Sequence, residues 1–497
     1  MTASQTTRTS SQLLLLLWLL LGSLFLLNLV YKIYLVNTYA PELGGFERNV
    51  IWGIQQIMSG KPLYTNIQSA PFAIIQYMPL YYHLVAFITS VFQINPANAH
   101  AVYTCARGLN LLFCLLSSGL LLGMARRVFK IDWLIAFGVS VLAFLWMGPG
   151  IISGRPDSLK ALLFMLTILA LVSFPKMRKR YAYLFAVLSG CAAFFCKQDG
   201  LVFCGILPLA LLFQGNRRDF FIWSLLSGLL VISLVLLLIG LNGPPFLANV
   251  LGGLENGISI SWFVGSFGAY FGFYALLFAL GIVLTWEFSK SKSWSLNVLS
   301  SAMCCAFIPQ LFFSLKYGSA PNYFLEATLI SLLMLAIWID KSPFSGIFQH
   351  KQSHYLLAIC TAVLLFYIPA IQWITAIFLN QEPQLKAQYE NQKEVAEFVH
   401  SQLKSENEWV LVDIKRQWED HLSTLLYDRI AAPQRDVIMQ VATAKGKIDL
   451  QPLKNAIKEG TVRYAVTELG TSPDFLNIDP AIFKPLKVIG NYQVWKR

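Results

Sequence analysis

Long apolar runs recur along most of this chain, and they constrain its fold more than any other feature. From residue 12 to about residue 379, stretches of roughly 20 apolar residues follow one another. Each is long enough to cross a hydrocarbon core of about 30 Å as a helix, whereas a spanning strand needs only about 10 residues of alternating polarity. Only 13% of the residues are charged, about half the share in a soluble domain. The sequence therefore predicts an all-α polytopic membrane protein.

The distribution of charge predicts the topology. The net charge of +12 arises entirely within residues 1–380, because residues 381–497 contain 16 basic and 16 acidic residues. Successive basic clusters are separated by pairs of apolar runs, which is the pattern of cytoplasmic loops under the positive-inside rule. This pattern predicts about 11 transmembrane helices, a cytoplasmic N-terminus and a last helix at about 355–379 that leads outward. The basic clusters lie at 126–130, 176–180, 217–218, 290–292, and 341 with 351.

The first outer loop is predicted to be long, from residue 37 to residue 100. It contains a short apolar run at 79–93, which starts with Pro79 and includes His83. If this run crossed the membrane, every later basic cluster would move to the other side. We therefore interpret it as a helix that lies in the outer membrane interface, with His83 as an anchor rather than a catalytic group. Residues 1–380 are predicted to form one transmembrane domain that includes this loop.

Residues 381–497 are predicted to form a small extracytoplasmic α/β domain. Helical spacing of apolar residues occurs at 391–406 and at 450–457. Short apolar runs at 410–414, 437–441, 463–467 and 492–495 predict strands. The segment contains no phosphate-binding loop, nucleophile elbow or metal-ligand spacing, which favours a lid or docking role.

Ionisable residues concentrate in segments that the topology places on the outer side. These segments are 42–48, 154–157, 197–200 and 316–323. Together they offer carboxylates and cations on one face of the membrane, and they are predicted to line one cavity. Outward cations run against the usual charge bias, and an anionic ligand is one explanation for them. The eight cations are Lys32, Arg48, Lys61, Arg107, Arg155, Lys160, Lys197 and Lys316.

The stretch from Glu47 to Tyr82 carries the most specific motifs. Glu47 is followed thirteen positions later by Gly60, and then by Pro62-Leu63-Tyr64, Pro71-Phe72 and Tyr77-Met78-Pro79-Leu80-Tyr81-Tyr82. In this order the motifs resemble those of the polytopic GT-C glycosyltransferases, a superfamily that includes protein O-mannosyltransferases and aminoarabinose transferases. Met78 departs from the proline of that pattern. The segments 155–157 and 322–326 are also similar to recurring segments of the superfamily.

The resemblance implies a glycosyltransferase that moves a hexose or pentose from a polyprenyl-phosphate donor to an acceptor on the extracytoplasmic side. The acceptor would be a glycan, a lipid or a protein, the location a bacterial inner membrane, and nucleic acid has no role. Glu47 is the preferred general base, because it matches the first-loop acid, and Glu42 is the reserve. The other implied site residues are Asp157 for catalysis, Arg155, Lys197, Lys316 and Arg107 for the donor phosphate, and Tyr64, Tyr82, Asn322 and Tyr323 for substrate.

Several of these residues admit a second interpretation. Three roles are open for Asp157: it could position the acceptor, orient Arg155, or begin a helix after Pro156. The cations could instead place their charged ends at the membrane interface. Glu326 lies just inside a predicted span and needs a partner, for which Lys316 or Arg155 would serve.

The sequence favours an enzyme without a cofactor or metal. The first loop has no aspartate, and Glu42 and Glu47 are five residues apart, so no Asp-x-Asp pair is available for a divalent ion. Two alternative functions are a membrane-embedded glycan ligase or polymerase and a secondary transporter. A transporter more often shows two similar halves, and neither alternative explains the acid-bearing first loop.

Overall fold

The computed structural model describes residues 3–173, 179–253, 257–341, 381–415, 419–433, 449–473 and 482–497. Most of the described chain is helical. Short segments of 3₁₀-helix lie at Gln198–Gly205 and Pro321–Phe324, and a π-helical turn lies at Met124–Val128. In chain order the helices before residue 342 are α1 (Ala3–Asn37), α2 (Glu47–Met58), α3 (Pro79–Val91), α4 (Ala99–Gly123), α5 (Trp133–Trp146), α6 (Pro149–Ile152), α7 (Asp157–Val172), α8 (Lys179–Cys196), α9 (Ile206–Phe213), α10 (Arg217–Asn242), α11 (Pro244–Gly252), α12 (Ile260–Ser289), α13 (Trp294–Ser314) and α14 (Leu325–Lys341).

The structure confirms a multi-pass membrane protein. Five helical segments have the length and apolar composition to cross a bilayer, and several shorter apolar helices accompany them. The number of 11 spans stays a prediction, and the span predicted at about 355–379 lies outside the described residues. The five segments are Leu14–Asn37, Ala99–Val128, Arg217–Asn242, Trp294–Ser314 and Pro321–Lys341.

Two of the predicted spans are not continuous α-helices. The run at 133–152 breaks after α5 and restarts as α6 at Pro149, which lacks the N–H that a continuing helix needs. The run at 200–214 begins as 3₁₀-helix and becomes α9. Here the backbone approaches α8 so closely that a Cβ on Gly200 would lie 2.3 Å from the Ala193 carbonyl oxygen. Both breaks place non-helical backbone beside the candidate site.

The first loop folds into two helices that pack on each other. In α2, apolar residues at helical spacing and Trp52 are buried, and α3 begins with Pro79 at its first turn. A Cβ on Gly53 would lie 2.8 Å from the Tyr82 ring, so this glycine permits the close approach of the two helices. Phe87 and Phe92 of the α3 segment are exposed, and the position of this helix in the membrane interface stays a prediction.

Helix α7 lies at the centre of the bundle and α10 at its edge. Of the 16 residues of α7, 13 are buried, and the helix packs against α4, α8 and α13. In α10 the only buried residue is Ser227, and the helix packs mainly against α8, α9 and α11. Helix α12 packs mainly against α13 and α14. The exposed apolar surfaces of α10 and α12 therefore face lipid.

The C-terminal segment forms the small α/β domain that the sequence predicts. Its strands are β1 (Trp409–Asp413), β2 (Val462–Glu468), β3 (Lys484–Ile489) and β4 (Tyr492–Lys496), in the order β1-β2-β4-β3. β1 and β2 are parallel, and the other pairs are antiparallel. The helices are α15 (within 381–402), α16 (Leu422–Leu425) and α17 (Gln451–Glu459). The run at 437–441 lies outside the described residues, and β3 is a strand that the sequence analysis missed.

The C-terminal domain is held against the first loop by polar contacts. The indole N–H of Trp52 donates to the Tyr427 carbonyl at 3.0 Å, and the amide of Gln55 donates to the Thr424 carbonyl at 2.9 Å. The Glu382 carboxylate accepts the Tyr39 backbone N–H at 2.8 Å. These contacts join the domain to the end of the bundle that carries residues 38–98, which we call the loop end.

Candidate functional site

The first loop places the Glu42 carboxylate on the N-terminus of α2. Its oxygens accept hydrogen bonds from the backbone N–H groups of Glu47 and Arg48, at 2.9 and 3.2 Å. Phe46, the residue before the helix, supplies no side-chain cap, so Glu42 satisfies these N–H groups from upstream. A negative charge at this helix end is favoured by the helix dipole.

Glu42 is partly exposed, and no basic side chain of the described residues forms an ion pair with it. Burial raises the pKa of its carboxyl group to about 7; Arg48 opposes this increase and Glu47 reinforces it. A carboxylate with a pKa near neutrality and one open side can accept a proton from a bound hydroxyl group.

Glu47 has a different environment, because each of its oxygens accepts two hydrogen bonds, whereas each oxygen of Glu42 accepts one. The Arg107 guanidinium binds it in two places, with Nε at 2.7 Å from one oxygen and Nη2 at 3.0 Å from the other. The backbone N–H groups of Leu43 and Gly154 donate to the same carboxylate, at 2.8 and 2.6 Å. Arg107 also donates to the Thr38 carbonyl at 3.0 Å. This fully buried pair ties the first loop to α4 and to the segment before α7.

Asp157, at the start of α7, is the centre of a second buried cluster. One of its oxygens accepts from the Lys197 ammonium at 2.8 Å and from the Asn322 amide at 2.7 Å. The other accepts from the Arg155 guanidinium at 2.8 Å. Arg155 also donates to the carbonyl oxygens of Gly44 and Gly45 in the first loop. Asp157 thus connects three of the four segments that the sequence singled out.

Lys160, one helical turn further along α7, extends this cluster. Its ammonium lies 2.6 Å from Asp199 and 3.3 Å from Glu326. The expected partners of Glu326, Lys316 or Arg155, are therefore wrong. Lys160 is the partner because it lies on the face of α7 that carries Asp157.

Lys316 is the cation of the site without a carboxylate partner among the described residues. Its ammonium donates to the Gly253 carbonyl at 2.8 Å, and its backbone pairs with that of Ile258. Burial lowers the pKa of Lys316 to about 8; Lys197 reinforces this decrease and Asp199 opposes it. The side chain is partly exposed and is still mostly protonated at pH 7.

The four predicted substrate residues divide into two groups. Asn322 and Tyr323 are partly exposed and border the cluster, with the Tyr323 ring 4.5 Å from the Lys197 ammonium. Tyr64 and Tyr82 are buried in the loop core instead. The Tyr64 hydroxyl donates to the Tyr77 carbonyl at 2.9 Å. The structure thus places Asn322 and Tyr323 at the cluster around Asp157, and it places Tyr64 and Tyr82 away from that cluster.

Most of the outward cations are paired inside the protein. Five of the eight have a carboxylate partner, which explains their presence on this face without a polyanionic ligand. The five are Arg48, Arg107, Arg155, Lys160 and Lys197.

The structure adds Lys160, Asp199 and Arg48 to the residues predicted for the site. The signal for Lys160 was its spacing of three residues from Asp157 within one predicted helix. Arg48 binds Asp420 of the C-terminal domain at 2.8 Å, a partner that sequence spacing does not reveal.

The fold and the site define a class of protein: a polytopic membrane protein whose loop end holds a partly exposed carboxylate, Glu42, next to buried ion pairs and to Lys316, which has no carboxylate partner among the described residues. Crystal structures of ArnT from Cupriavidus metallidurans share this fold. The structure bound to undecaprenyl phosphate superposes with a TM-score of 0.62 and the apo state with 0.58. Both alignments cover 95% of this chain and 97% of ArnT at 14% sequence identity. The predicted fold class, an all-α polytopic membrane protein with a small α/β domain near its C-terminus, is therefore confirmed.

No protein-family model and no curated protein sequence matches the chain. Within the described ranges, no group of three or more His, Cys, Asp or Glu side chains is arranged to hold a metal ion. Metal independence stays a prediction.

Proposed function

We propose that this protein is a membrane glycosyltransferase that moves a sugar from a polyprenyl-phosphate donor to an acceptor on the extracytoplasmic side. The observation that carries the proposal is the fold, which matches ArnT bound to undecaprenyl phosphate over 95% of the chain. The likeness favours a transferase over the ligase and transporter alternatives. The proposed location is a bacterial inner membrane, with the N-terminus in the cytoplasm.

The arrangement of helices supports a lipid-linked donor. Helices α10 and α12 carry exposed apolar faces, and the segment between α11 and α12 begins with Gly253, whose carbonyl contacts Lys316. A polyprenyl chain lying along these faces would remain in an apolar environment. Its phosphate would then reach Lys316, which donates to the Gly253 carbonyl.

Lys316 is the cation best suited to the donor phosphate. The other predicted phosphate ligands, Arg155, Lys197 and Arg107, already bind carboxylates at 2.8 Å or less. A phosphate that displaced one of these carboxylates would leave it buried without a partner, which is costly. Lys316 has only a carbonyl to give up, so it can bind a phosphate without that penalty.

We propose Glu42, rather than Glu47, as the general base. Glu47 cannot readily accept a hydrogen bond from a substrate, because Arg107 and two backbone N–H groups already donate to its oxygens. Glu42 has a pKa of about 7 and an exposed side. Glu47 then has a positioning role, since its own backbone N–H holds the Glu42 carboxylate at 2.9 Å.

The proposed reaction is a single displacement at the anomeric carbon. The acceptor hydroxyl transfers its proton to Glu42 while its oxygen bonds to that carbon. The bond from the carbon to the phosphate oxygen breaks, and the electron pair leaves with the polyprenyl phosphate. Lys316 stabilises the negative charge that grows on the phosphate.

The test is release of undecaprenyl phosphate by the purified protein from a panel of undecaprenyl-phosphate sugars, with cell-envelope extract as acceptor source. We expect release by wild type and a loss of at least about 100-fold in Glu42→Gln, the effect of removing a general base. Asp219→Asn, in the exposed ion pair of Asp219 with Lys179, is the control and should keep full activity. Folded wild type that releases nothing contradicts the transferase, and an active Glu42→Gln contradicts the base alone.

A further inference from the structure

Several buried acceptor oxygens of the second cluster accept no hydrogen bond. Among the described residues, no hydrogen bond reaches Oδ1 of Asp199, Oδ1 of Asn322 or Oε2 of Glu326, and Oε1 of Glu326 has only the ion-pair contact with Lys160 at 3.3 Å. Glu326 is completely buried and Asp199 is 7% exposed. Buried polar atoms are nearly always hydrogen-bonded, so a concentration of exceptions points to a group that the protein itself does not supply.

These oxygens belong to one connected set of side chains. Lys160 lies 2.6 Å from Asp199 and 3.3 Å from Glu326, and it occupies only one oxygen of Asp199. The amide of Asn322 donates to Asp157 at 2.7 Å, which leaves its carbonyl oxygen on the opposite side of the amide group. Asn322 is partly exposed, so it forms the boundary between the buried cluster and the surface.

The chemistry of these oxygens excludes a phosphate. Ionised carboxylates and amide oxygens only accept hydrogen bonds, and a phosphate offers acceptors as well. The cluster also lacks excess positive charge, since three cations face three carboxylates. These are Arg155, Lys160 and Lys197 with Asp157, Asp199 and Glu326. A suitable ligand must bring hydrogen-bond donors.

We propose that Asp199, Asn322 and Glu326 form the sugar subsite of the lipid-linked donor and bind the hydroxyl or amino groups of its sugar. The inference rests on the proposed function and deepens it. Lys316 is close enough to Lys197 and Asp199 for their charges to act on it. The phosphate and the sugar of one donor molecule would therefore occupy adjacent parts of the loop end. The phosphate would lie at Lys316, and the sugar would lie at the oxygens of Asp199, Asn322 and Glu326.

The experiment compares two ligands on the full-length protein in nanodiscs. One is undecaprenyl phosphate, which has no sugar, and the other is the undecaprenyl-phosphate sugar of the panel that binds wild type most tightly. Glu326→Gln and Asn322→Ala should each weaken binding of the sugar-bearing lipid by about fivefold or more, the value of one lost hydrogen bond, and leave binding of undecaprenyl phosphate unchanged. Lys316→Gln should weaken binding of both ligands, and that of undecaprenyl phosphate more, because its phosphate monoester carries the larger negative charge.

Each result separates the two proposals. Equal losses for both ligands in Glu326→Gln and Asn322→Ala, or no loss for the sugar-bearing lipid in either variant, would overturn the sugar subsite. Wild type that binds neither ligand contradicts the proposed function itself. The control is Asp219→Asn, which also removes the charge of a carboxylate paired with a lysine but lies in an exposed pair. If Glu326→Gln has a melting temperature well below that of wild type, the test rests on Asn322→Ala, because Asn322 is partly exposed.

Discussion

The proposed mechanism depends on two titrating groups, Glu42 and Lys316, and it therefore predicts a narrow pH optimum for activity. Glu42 must be ionised to accept a proton, so activity should rise as the pH passes its pKa of about 7. Lys316 must be protonated to stabilise the phosphate, so activity should fall as the pH passes its pKa of about 8. The profile of kcat/KM should therefore be bell-shaped, because this parameter reports the free enzyme.

The size of the effect follows from these two pKa values. The form with ionised Glu42 and protonated Lys316 reaches a maximum near pH 7.5, at about 58% of the protein. At pH 6 and at pH 9 its population is lower by about sixfold. A solvated glutamate and lysine would instead give a plateau from about pH 5 to about pH 10.

The assay is undecaprenyl phosphate release between pH 5.5 and pH 9.5 at low donor concentration. Lys316→Arg separates the two limbs, because an arginine stays protonated throughout this range. In that variant the alkaline limb should disappear and the acid limb should stay in place. An acid limb near pH 4, or an alkaline limb that Lys316→Arg leaves unchanged, would refute the assignment of these groups.

Three further predictions concern stability, domain contacts and metal. Arg107→Ala leaves Glu47 buried without its partner, so we expect a loss of about 3–5 kcal/mol in the free energy of unfolding and a clear drop in melting temperature in detergent; a melting curve like wild type would contradict the contact. Asp420→Asn weakens the contact with Arg48 and should speed release of the C-terminal domain by limited protease, whereas an unchanged rate would show that other contacts suffice. Dialysis against EDTA should leave activity unchanged, and a loss that divalent ions restore would refute metal independence.

The architecture of the chain was predictable where it depends on local sequence. The length of an apolar run and the bias of basic residues are read along the chain without tertiary information, and both indicated the helices. Strand β3 shows where this fails. Lys484, Pro485 and Lys487 obscure its alternation, because it is an edge strand with exposed side chains.

The membership of the site was more predictable than its pairing. Charged residues next to spans are few, so Glu42, Asp157, Lys197 and Lys316 stood out. Which acid meets which base depends on how the helices pack. The partner of Glu326 is Lys160, on a helix far away in sequence, and only the assembled bundle shows this. The same packing shows the occupied oxygens of Glu47, which the motif alone would favour as the base.

A site with one uncompensated cation suits the charge change of the proposed reaction. The donor is a phosphodiester with one negative charge, and the released polyprenyl phosphate is a monoester that carries about −1.5 to −2 at pH 7. Lys316 therefore interacts more strongly with the transition state and product than with the donor, which is the requirement for lowering the barrier. If Arg155 and Lys197 also faced the phosphate, they would stabilise the product further and slow its release. Their pairing with Asp157 instead keeps them as the rigid frame that holds the first loop, α7 and the segment before α14 together.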